Sequence, residues 1–195
     1  MKHLVLASNN EGKIREIRQI LAPLSIEVIP QAHFGIPEIE EPHGTFIENA
    51  LIKARHASAQ THLPALADDS GLCVEALEGA PGVHSARFAG EPRSDERNND
   101  RLLELLARSE NRKAHYYCVL VLLRHAHDPQ PLIAEGEWHG EILRERRGTG
   151  GFGYDPLFLD SLLGKSGAEL PLDEKNRVSH RGKALGLLVE KRTDK

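Results

Sequence analysis

The stretch KAHYYCVLVLLRHA, at Lys113–Ala126, decides the fold of this chain. Tyrosine, valine and leucine dominate it, and these residue types favour β-strands. Apolar residues occupy both alternating sets of positions, which is typical of a strand buried on both faces of a sheet. The sequence therefore predicts a central strand here, and Leu132–Leu143 follows the turn at Asp128–Pro131 as the second arm of a hairpin.

Helices and further strands alternate around this hairpin. His3–Ala7 and Ser25–Ile29 predict short strands, and Glu11–Leu21 predicts a helix between them because isoleucine and leucine recur on one face. The other predicted elements are a helix from the capping box of Thr45 and Glu48 to Gln60, strands at Pro64–Asp68 and Leu72–Val74 around an Asp-Asp-Ser-Gly turn, and helices from Ser94 to Ala107 and at Ser179–Glu190. The predicted fold class is α/β, a mixed sheet flanked by helices in a single domain over residues 1–195.

The composition argues against nucleic acid as a partner and against a secreted or membrane-spanning protein. The 195 residues include 25 Lys plus Arg and 29 Asp plus Glu, giving a net charge of −4, whereas a nucleic-acid-binding domain usually carries a basic stripe. Cys73 and Cys118 have neither metal-site spacing nor a disulfide framework, so we expect buried, reduced thiols in a cytoplasmic protein. The run Leu4–Ala7 is too short for a signal sequence, and no stretch is long and apolar enough to span a membrane.

A polar turn joins the first predicted strand to the first helix. Its residues are Ser8, Asn9, Asn10, Glu11, Gly12 and Lys13. A turn between a strand and a helix directs the first N–H groups of the helix, together with its dipole, toward an anion. Lys13, Ser8 and Asn10 would add side-chain donors to the same phosphate. Alone, such a segment is more commonly a surface loop with an asparagine cap, and only the other motifs favour a phosphate site.

The helix after Thr45 carries a polar stripe. Thr45, Asn49 and Lys53 are spaced four residues apart, so they share one helix face. This stripe either faces solvent or lines a cleft in which Lys53 makes a second phosphate contact. Spacing alone does not separate these alternatives.

Two adjacent aspartates, Asp68 and Asp69, end an apolar run just before Ser70. Neighbouring strand residues point to opposite sides, so we expect one aspartate to face the ligand. Mg²⁺ usually takes one or two carboxylates plus phosphate oxygens, and Glu40 or Glu41 in the preceding acidic loop would add another ligand. An ordinary Asp-Ser-Gly turn is the alternative, but paired acids after an apolar run favour a metal.

A glycine-rich loop, Gly148–Pro156, matches the spacing G-x-G-x-x-G. It follows the charged run Arg144–Arg147 instead of a strand, and Pro156 prevents the helix that a dinucleotide site requires. The remaining interpretation is a flexible loop in which Phe152 stacks on a base and Asp155 accepts a hydrogen bond. Further cationic donors lie toward the C-terminus at Lys175, His180 and Arg181, although each alone is more often a surface charge.

Taken together, these segments resemble the inosine triphosphate pyrophosphatase family. The matching motifs are Ser8-x-Asn10-x-x-Lys13, Thr45–Ala50 with Lys53, Leu66–Leu72, Gly79–Arg87, Gly150–Pro156, and Lys175 with Ser179–Gly182. They occur in the family's order and cover nearly the whole chain. Each motif alone is weak, whereas chance agreement of the whole set is negligible.

The resemblance implies hydrolysis of non-standard purine nucleoside triphosphates (ITP, dITP and XTP) to a monophosphate and pyrophosphate. It implies Mg²⁺, a homodimer, and an elongated sheet with two lobes and the active site in a cleft between them. Asp69 would bind the metal and act as general base, and Ser8–Lys13, Lys53 and Lys175 would hold the phosphates. The remaining nucleotide contacts would come from Ser70, Phe152, Gly153, Tyr154, Asp155, His180 and Arg181.

Two other interpretations remain open at this point. One is a Maf-like pyrophosphatase that acts on pyrimidine or modified nucleotides, and the loop Phe152–Asp155 with His180 and Arg181 argues against it. The other is a nucleotide-binding regulator without turnover, and the intact Asp69 argues against it. For base choice, a donor from Arg181 or from the backbone near His180 would favour the 6-oxo group of hypoxanthine over the 6-amino group of adenine.

Overall fold

In the described part of the chain, seven strands form one mixed sheet in the order β2-β1-β3-β4-β5-β6-β7. The computed structural model describes residues 2–193. The strands are β1 His3–Leu6, β2 Glu27–Pro30, β3 Ala65–Val74, β4 Lys113–Leu123, β5 Leu132–Ile142, β6 Phe158–Asp160 and β7 Lys165–Ser166. β1 lies parallel to β2 and β3, whereas β6 is antiparallel to β5 and β7. The predicted α/β class with a mixed sheet is therefore confirmed.

Residues 2–193 also form five α-helices and several short 3₁₀ segments, and the last two helices follow the final strand. The α-helices are α1 Glu11–Leu21, α2 Phe46–Thr61, α3 Asp95–Leu105, α4 Leu172–Val178 and α5 His180–Thr193. The 3₁₀ segments are Ala22–Leu24, Gln31–Phe34, Glu75–Leu77, Gly82–Arg87 and Gly167–Glu169. The sequence predicted α1, α2, α3 and α5 to within a few residues, but it missed α4 and the short strands β6 and β7.

Side-chain caps fix where the predicted helices begin. Asn10 accepts the Lys13 N–H at the start of α1, and Ser94 accepts the Arg97 N–H at the start of α3. At α2, the Thr45 hydroxyl accepts the Glu48 N–H, and the Glu48 carboxylate in turn accepts the Thr45 hydroxyl. Such caps satisfy N–H groups that lack a partner inside the helix.

The predicted central strand is shorter at its end and more exposed at its start than expected. β4 ends at Leu123, because the Asp128 carboxylate accepts the N–H groups of Arg124 and Gln130 and closes the turn there. Residues 118–123 are buried on both alternating faces, as predicted, but His115 and Tyr117 are half-buried. Cys73 is also only half-buried, so the expectation of two buried thiols is correct for Cys118 alone.

The chain divides into two compact units, each with its own core. The first comprises residues 1–69, 118–136 and 181–195, and the second residues 70–117 and 137–180. Aliphatic residues of β1, α1 and α5 dominate the first core, including Leu6, Ile17 and Leu185. Aromatic residues dominate the second core, where Trp138 and Phe158 pack with ring centroids 4.7 Å apart. In the described residues, no helix combines the length and apolar content that a membrane span requires.

Candidate active site

The two aspartates lie within a continuous strand and not at a turn, so the predicted break between two strands is wrong. β3 runs from Ala65 to Val74 without interruption. The strand continues because Gly82 and Ser85 pack directly against it: the Ser85 hydroxyl accepts the Leu72 N–H at 2.9 Å. A Cβ atom at Gly71 would lie 2.2 Å from the Gly82 carbonyl oxygen, so this close approach requires glycine.

Asp68 is the centre of a buried ion-pair network in the first unit. Its Oδ2 accepts Arg181 Nε at 2.9 Å, and its Oδ1 pairs with the Lys13 ammonium. A second Arg181 nitrogen donates to Glu16, and Arg181 itself is only 1% exposed. Burial alone would raise the pKa of Asp68, but Arg181, Lys13 and Lys53 together hold that pKa well below its usual value. Asp68 is therefore a fixed anion whose oxygens are occupied by protein cations.

Asp69 belongs to a separate group of charges formed with Lys53 and Glu41. Lys53 Nζ lies 3.1 Å from Asp69 Oδ1 and 2.8 Å from Glu41 Oε1. The Lys53 side chain is only 12% exposed. The alternative that the polar stripe of this helix faces solvent therefore does not hold at Lys53. Burial would lower the pKa of Lys53, but attraction to the surrounding carboxylates outweighs it, and the pKa is raised.

Asp68 and Asp69 each have one buried oxygen without a hydrogen bond, but Asp68 Oδ1 is paired with the Lys13 ammonium, whereas Asp69 Oδ2 has no described ion pair. Asp69 Oδ2 is buried and has no hydrogen-bond partner among the described residues. Burial raises the pKa of Asp69, with repulsion from Glu41 and Asp68 adding to the effect and attraction to Lys53 and Lys13 opposing it. A buried carboxylate with an unsatisfied oxygen is suited to bind a cation or to accept a proton. The alternation of a strand accounts for the difference, because adjacent side chains leave β3 on opposite sides.

The carboxylates around Asp69 could hold a divalent metal ion. Carboxylate oxygen is the ligand that Mg²⁺ prefers, and Asp69 and Glu41 both present carboxylates at Lys53. No group of three or more His, Cys, Asp or Glu among residues 2–193 is arranged to hold a metal ion. Glu40 is exposed and no described contact joins it to this group, so Glu41 is the better candidate of the two.

The turn before α1 is held by its own side chains. Ser8 Oγ accepts the Asn10 N–H at 3.2 Å, and Asn10 Oδ1 accepts the Lys13 N–H at 3.0 Å. Asn9 is exposed, and Glu11 and Gly12 begin the helix. Lys13 leaves this turn toward Asp68, so its ammonium is not a simple surface charge.

In the second unit, Lys175 and Asp155 organise the glycine-rich loop. Lys175 Nζ lies 2.6 Å from Asp155 Oδ2 and 4.7 Å from the centre of the Phe152 ring. The same carboxylate oxygen accepts the Phe152 N–H at 2.8 Å. A Cβ atom at Gly151, where φ is +71°, would meet Asp155 Oδ2 at 2.1 Å. The predicted acceptor Asp155 therefore shapes the loop, and Phe152 remains half-buried beside a cation.

Two predicted contact residues of this unit have buried side chains. The Tyr154 hydroxyl donates to the Ser85 carbonyl at 2.8 Å, and burial raises the pKa of Tyr154. The His180 ring stacks on Tyr116 at 4.6 Å, with 7° between the ring planes. Both rings thus contribute to the core, so a nucleotide contact from either position falls to the backbone or to a ring edge. Ser70 is half-buried and follows Asp69 along β3.

Sequence reasoning missed Glu16, Asp95 and Asn99. Glu16 is 2% exposed and lies among the apolar residues of α1, where a carboxylate is unexpected without a buried partner such as Arg181. An acidic residue next to Ile17 was the only sequence signal for this pairing. Asp95 and Asn99 bond to Gly153 of the glycine-rich loop, but they resemble ordinary polar residues of a helix start, and nothing in the sequence connects them to that loop.

Comparison with known proteins agrees with these motifs. A sequence model of the Ham1 family matches residues 4–191. A protein of Nitrosomonas europaea named dITP/XTP pyrophosphatase is 63% identical over 190 residues, which cover 97% of this chain and 94% of that protein. A protein of the same name from Chromobacterium violaceum is 64% identical over 188 residues, covering 96% of this chain and 95% of its relative.

Solved structures show the same likeness in three dimensions. The structure of a HAM1 protein from Coxiella burnetii superposes with a TM-score of 0.92 at 49% identity, and the match covers 100% of both chains. The Staphylococcus aureus Ham1 protein superposes with a TM-score of 0.86 at 38% identity, again over 100% of both chains. Sequence motifs, fold and full-length relatives agree, and the chain belongs to the Ham1 family.

Proposed function

We propose that this protein hydrolyses non-standard purine nucleoside triphosphates, namely ITP, dITP and XTP, to the nucleoside monophosphate and pyrophosphate. Such an activity removes damaged nucleotides from the cellular pool. The observation that carries the proposal is the buried, unpaired Asp69 Oδ2 beside Lys53 and Glu41. The names of the relatives from Nitrosomonas europaea and Chromobacterium violaceum support the substrate class.

Asp69 is the proposed general base. A base works best when its pKa approaches the working pH, and burial shifts the pKa of Asp69 in that direction. Its free oxygen would orient water toward the α-phosphorus, and Lys53 holds its other oxygen in place. Attack by an oriented water needs no covalent nucleophile, which agrees with a Cys118 thiol whose pKa burial raises well above its usual value.

Asp69 and Glu41 would hold the Mg²⁺ ion. When bound, Mg²⁺ supplies neutralisation of the phosphate oxygens and stabilisation of the departing pyrophosphate. Lys53, Lys13 and Lys175, with the turn Ser8–Lys13, are the proposed phosphate contacts. Lys13 and Lys53 pair with carboxylates in the unliganded protein, so phosphate binding would exchange or share these partners.

The loop Phe152–Asp155 is the proposed binding site for the purine base of the nucleotide. Stacking on an aromatic ring contributes on the order of 1–3 kcal/mol for any base, so Phe152 adds affinity more than selectivity. Selectivity requires a donor toward the 6-oxo group. The burial of Arg181 between Asp68 and Glu16 argues against its guanidinium in that role and leaves the backbone near His180 as the proposed donor.

The reaction products test this function directly. The protein should convert ITP and XTP with Mg²⁺ into monophosphate and pyrophosphate, and phosphorus NMR of the first products should show no orthophosphate. ATP, GTP and dTTP are the comparison substrates. A preference for dTTP would favour the Maf-like alternative, no turnover of any of them would favour a regulator, and diphosphate with orthophosphate would exclude α–β cleavage.

We further propose a cytoplasmic homodimer that binds neither nucleic acid nor membranes, on the strength of the family resemblance and the net charge of −4. Light scattering at micromolar concentration should give about twice the chain mass of 21.6 kDa. A mass of one chain at that concentration would contradict the dimer.

A further inference from the structure

Helix α3 holds the glycine-rich loop at Gly153. Asp95 Oδ2 accepts the Gly153 N–H at 2.7 Å, and Asn99 Nδ2 donates to the Gly153 carbonyl at 2.9 Å. The N–H belongs to the peptide group that links Gly153 to Phe152, and the carbonyl belongs to the next peptide group. Two side chains of one helix therefore fix the peptide planes on both sides of Gly153, where φ is +62°.

The position of the Phe152 ring depends on these planes. On its other side, Phe152 donates its N–H to Asp155 Oδ2, which Lys175 also holds. A change in the backbone dihedrals on either side of the Phe152–Gly153 peptide would move the ring relative to Lys175 Nζ, which lies 4.7 Å from the ring centre. The two hydrogen bonds from α3 restrain the backbone dihedrals of this segment at Gly153.

Asn99 is a buried polar residue of α3, only 3% exposed. Its Nδ2 donates both to the Asp95 carbonyl, at 2.8 Å, and to Gly153. Its Oδ1 is buried without a hydrogen-bond partner among the described residues, an arrangement that costs free energy. An apolar residue at this position would avoid that cost but would release the loop.

We propose that Asp95 and Asn99 are positioning residues for the base subsite, the part of the site where Phe152 stacks on the purine base. They hold the Phe152 ring in its binding orientation before a nucleotide binds. The proposal rests on the proposed function, because it takes Phe152 to stack on the base. Holding a binding group in its bound orientation lowers the entropy lost on association. The two residues should therefore affect affinity for the nucleoside part of the ligand and leave affinity for pyrophosphate unchanged.

The test uses Asn99→Leu and Asp95→Ala, with binding of inosine monophosphate and of pyrophosphate measured by calorimetry beside steady-state kinetics on ITP. Loss of one such hydrogen bond should raise KM and the Kd of the monophosphate about fivefold to tenfold, with kcat and the Kd of pyrophosphate almost unchanged. Asp95 is exposed, so Asp95→Ala decides the question if Asn99→Leu does not fold.

The chain offers a matched control for each variant. Asn98 is also buried on α3, but its amide bonds to Ala89, Ser85 and Ala86, so Asn98→Leu should lower Tm without raising the monophosphate Kd. Glu96→Ala removes a first-turn acid of α3 whose carboxylate has no described bond to the loop.

Phe152→Ala separates failure of this proposal from failure of the proposed function. If Phe152→Ala weakens monophosphate binding while Asn99→Leu and Asp95→Ala do not, the positioning role is wrong and the base subsite stands. If Phe152→Ala has no effect on monophosphate binding, the assignment of the base subsite itself is wrong. When both proposals hold, adding Asn99→Leu to Phe152→Ala should have little further effect on the monophosphate Kd.

Discussion

Asp69→Asn should lower kcat for ITP by about 10²–10⁴, because losing a general base typically costs this much. The amide keeps the size of the side chain but can neither accept a proton at neutral pH nor ligate Mg²⁺ as an anion. Steady-state kinetics at saturating Mg²⁺ would measure the change.

The loss should be confined to chemistry. Burial raises the pKa of Asp69, which means that the folded protein disfavours its charge, so the neutral asparagine should unfold at a similar or higher temperature. Glu40→Gln is the matched control, since it neutralises an exposed acid near Glu41 and should leave kcat unchanged. A kcat near that of the parent protein in Asp69→Asn would remove Asp69 from the proposed base role.

Local chemistry explains why α1, α2 and α3 were predictable from sequence. Asn10, Thr45 and Ser94 cap helices through bonds that span three residues, so the sequence contains both partners within one short window. The apolar spacing of α1 likewise reports its buried face, with Ile14 and Ile17 inward. Structure that depends on residues a few positions apart can therefore be predicted from a short stretch of sequence.

The break predicted at Asp68–Gly71 was wrong because its stabilising contacts are distant in sequence. Aspartate, serine and glycine favour turns locally, but Ser85 and Gly82 keep the segment extended as part of β3. A propensity that spans four residues cannot register a partner that lies more than ten residues away. Tertiary packing overrides such local preferences whenever the two compete.

Distance along the sequence also explains why the ion-pair partners of the charged residues could not be predicted. Lys13, Lys53 and Asp69 were identified as members of one site from motifs, yet which carboxylate each lysine approaches depends on the fold. Arg181 meets Asp68 across 113 positions and Glu16 across 165. A single sequence carries no information about pairs so far apart, so it left the donor to the 6-oxo group open between Arg181 and the backbone near His180.

Asp68→Asn should instead lower stability, by about 3–5 kcal/mol, because removing one member of a buried ion pair leaves the others uncompensated. Arg181 would retain only Glu16 of its two described carboxylate partners, and Lys13 would lose Asp68. Urea unfolding at pH 7 should show the loss as a lower midpoint. In Asp69→Asn the midpoint should not fall, so the two adjacent substitutions should separate stability from chemistry.

The destabilisation in Asp68→Asn should itself depend on pH. The pKa of Asp68 is lower in the folded protein than in the unfolded chain, so the charge stabilises the fold above the unfolded value of about 3.9 and progressively less as pH falls below it. Each pH unit below about 4 should shrink the difference between parent and Asp68→Asn by about 1.4 kcal/mol. Urea unfolding of both proteins between about pH 3 and pH 7 measures this. A difference that stays constant down to the lowest pH would show that Asp68 stabilises the fold through packing or neutral hydrogen bonds and not through its charge.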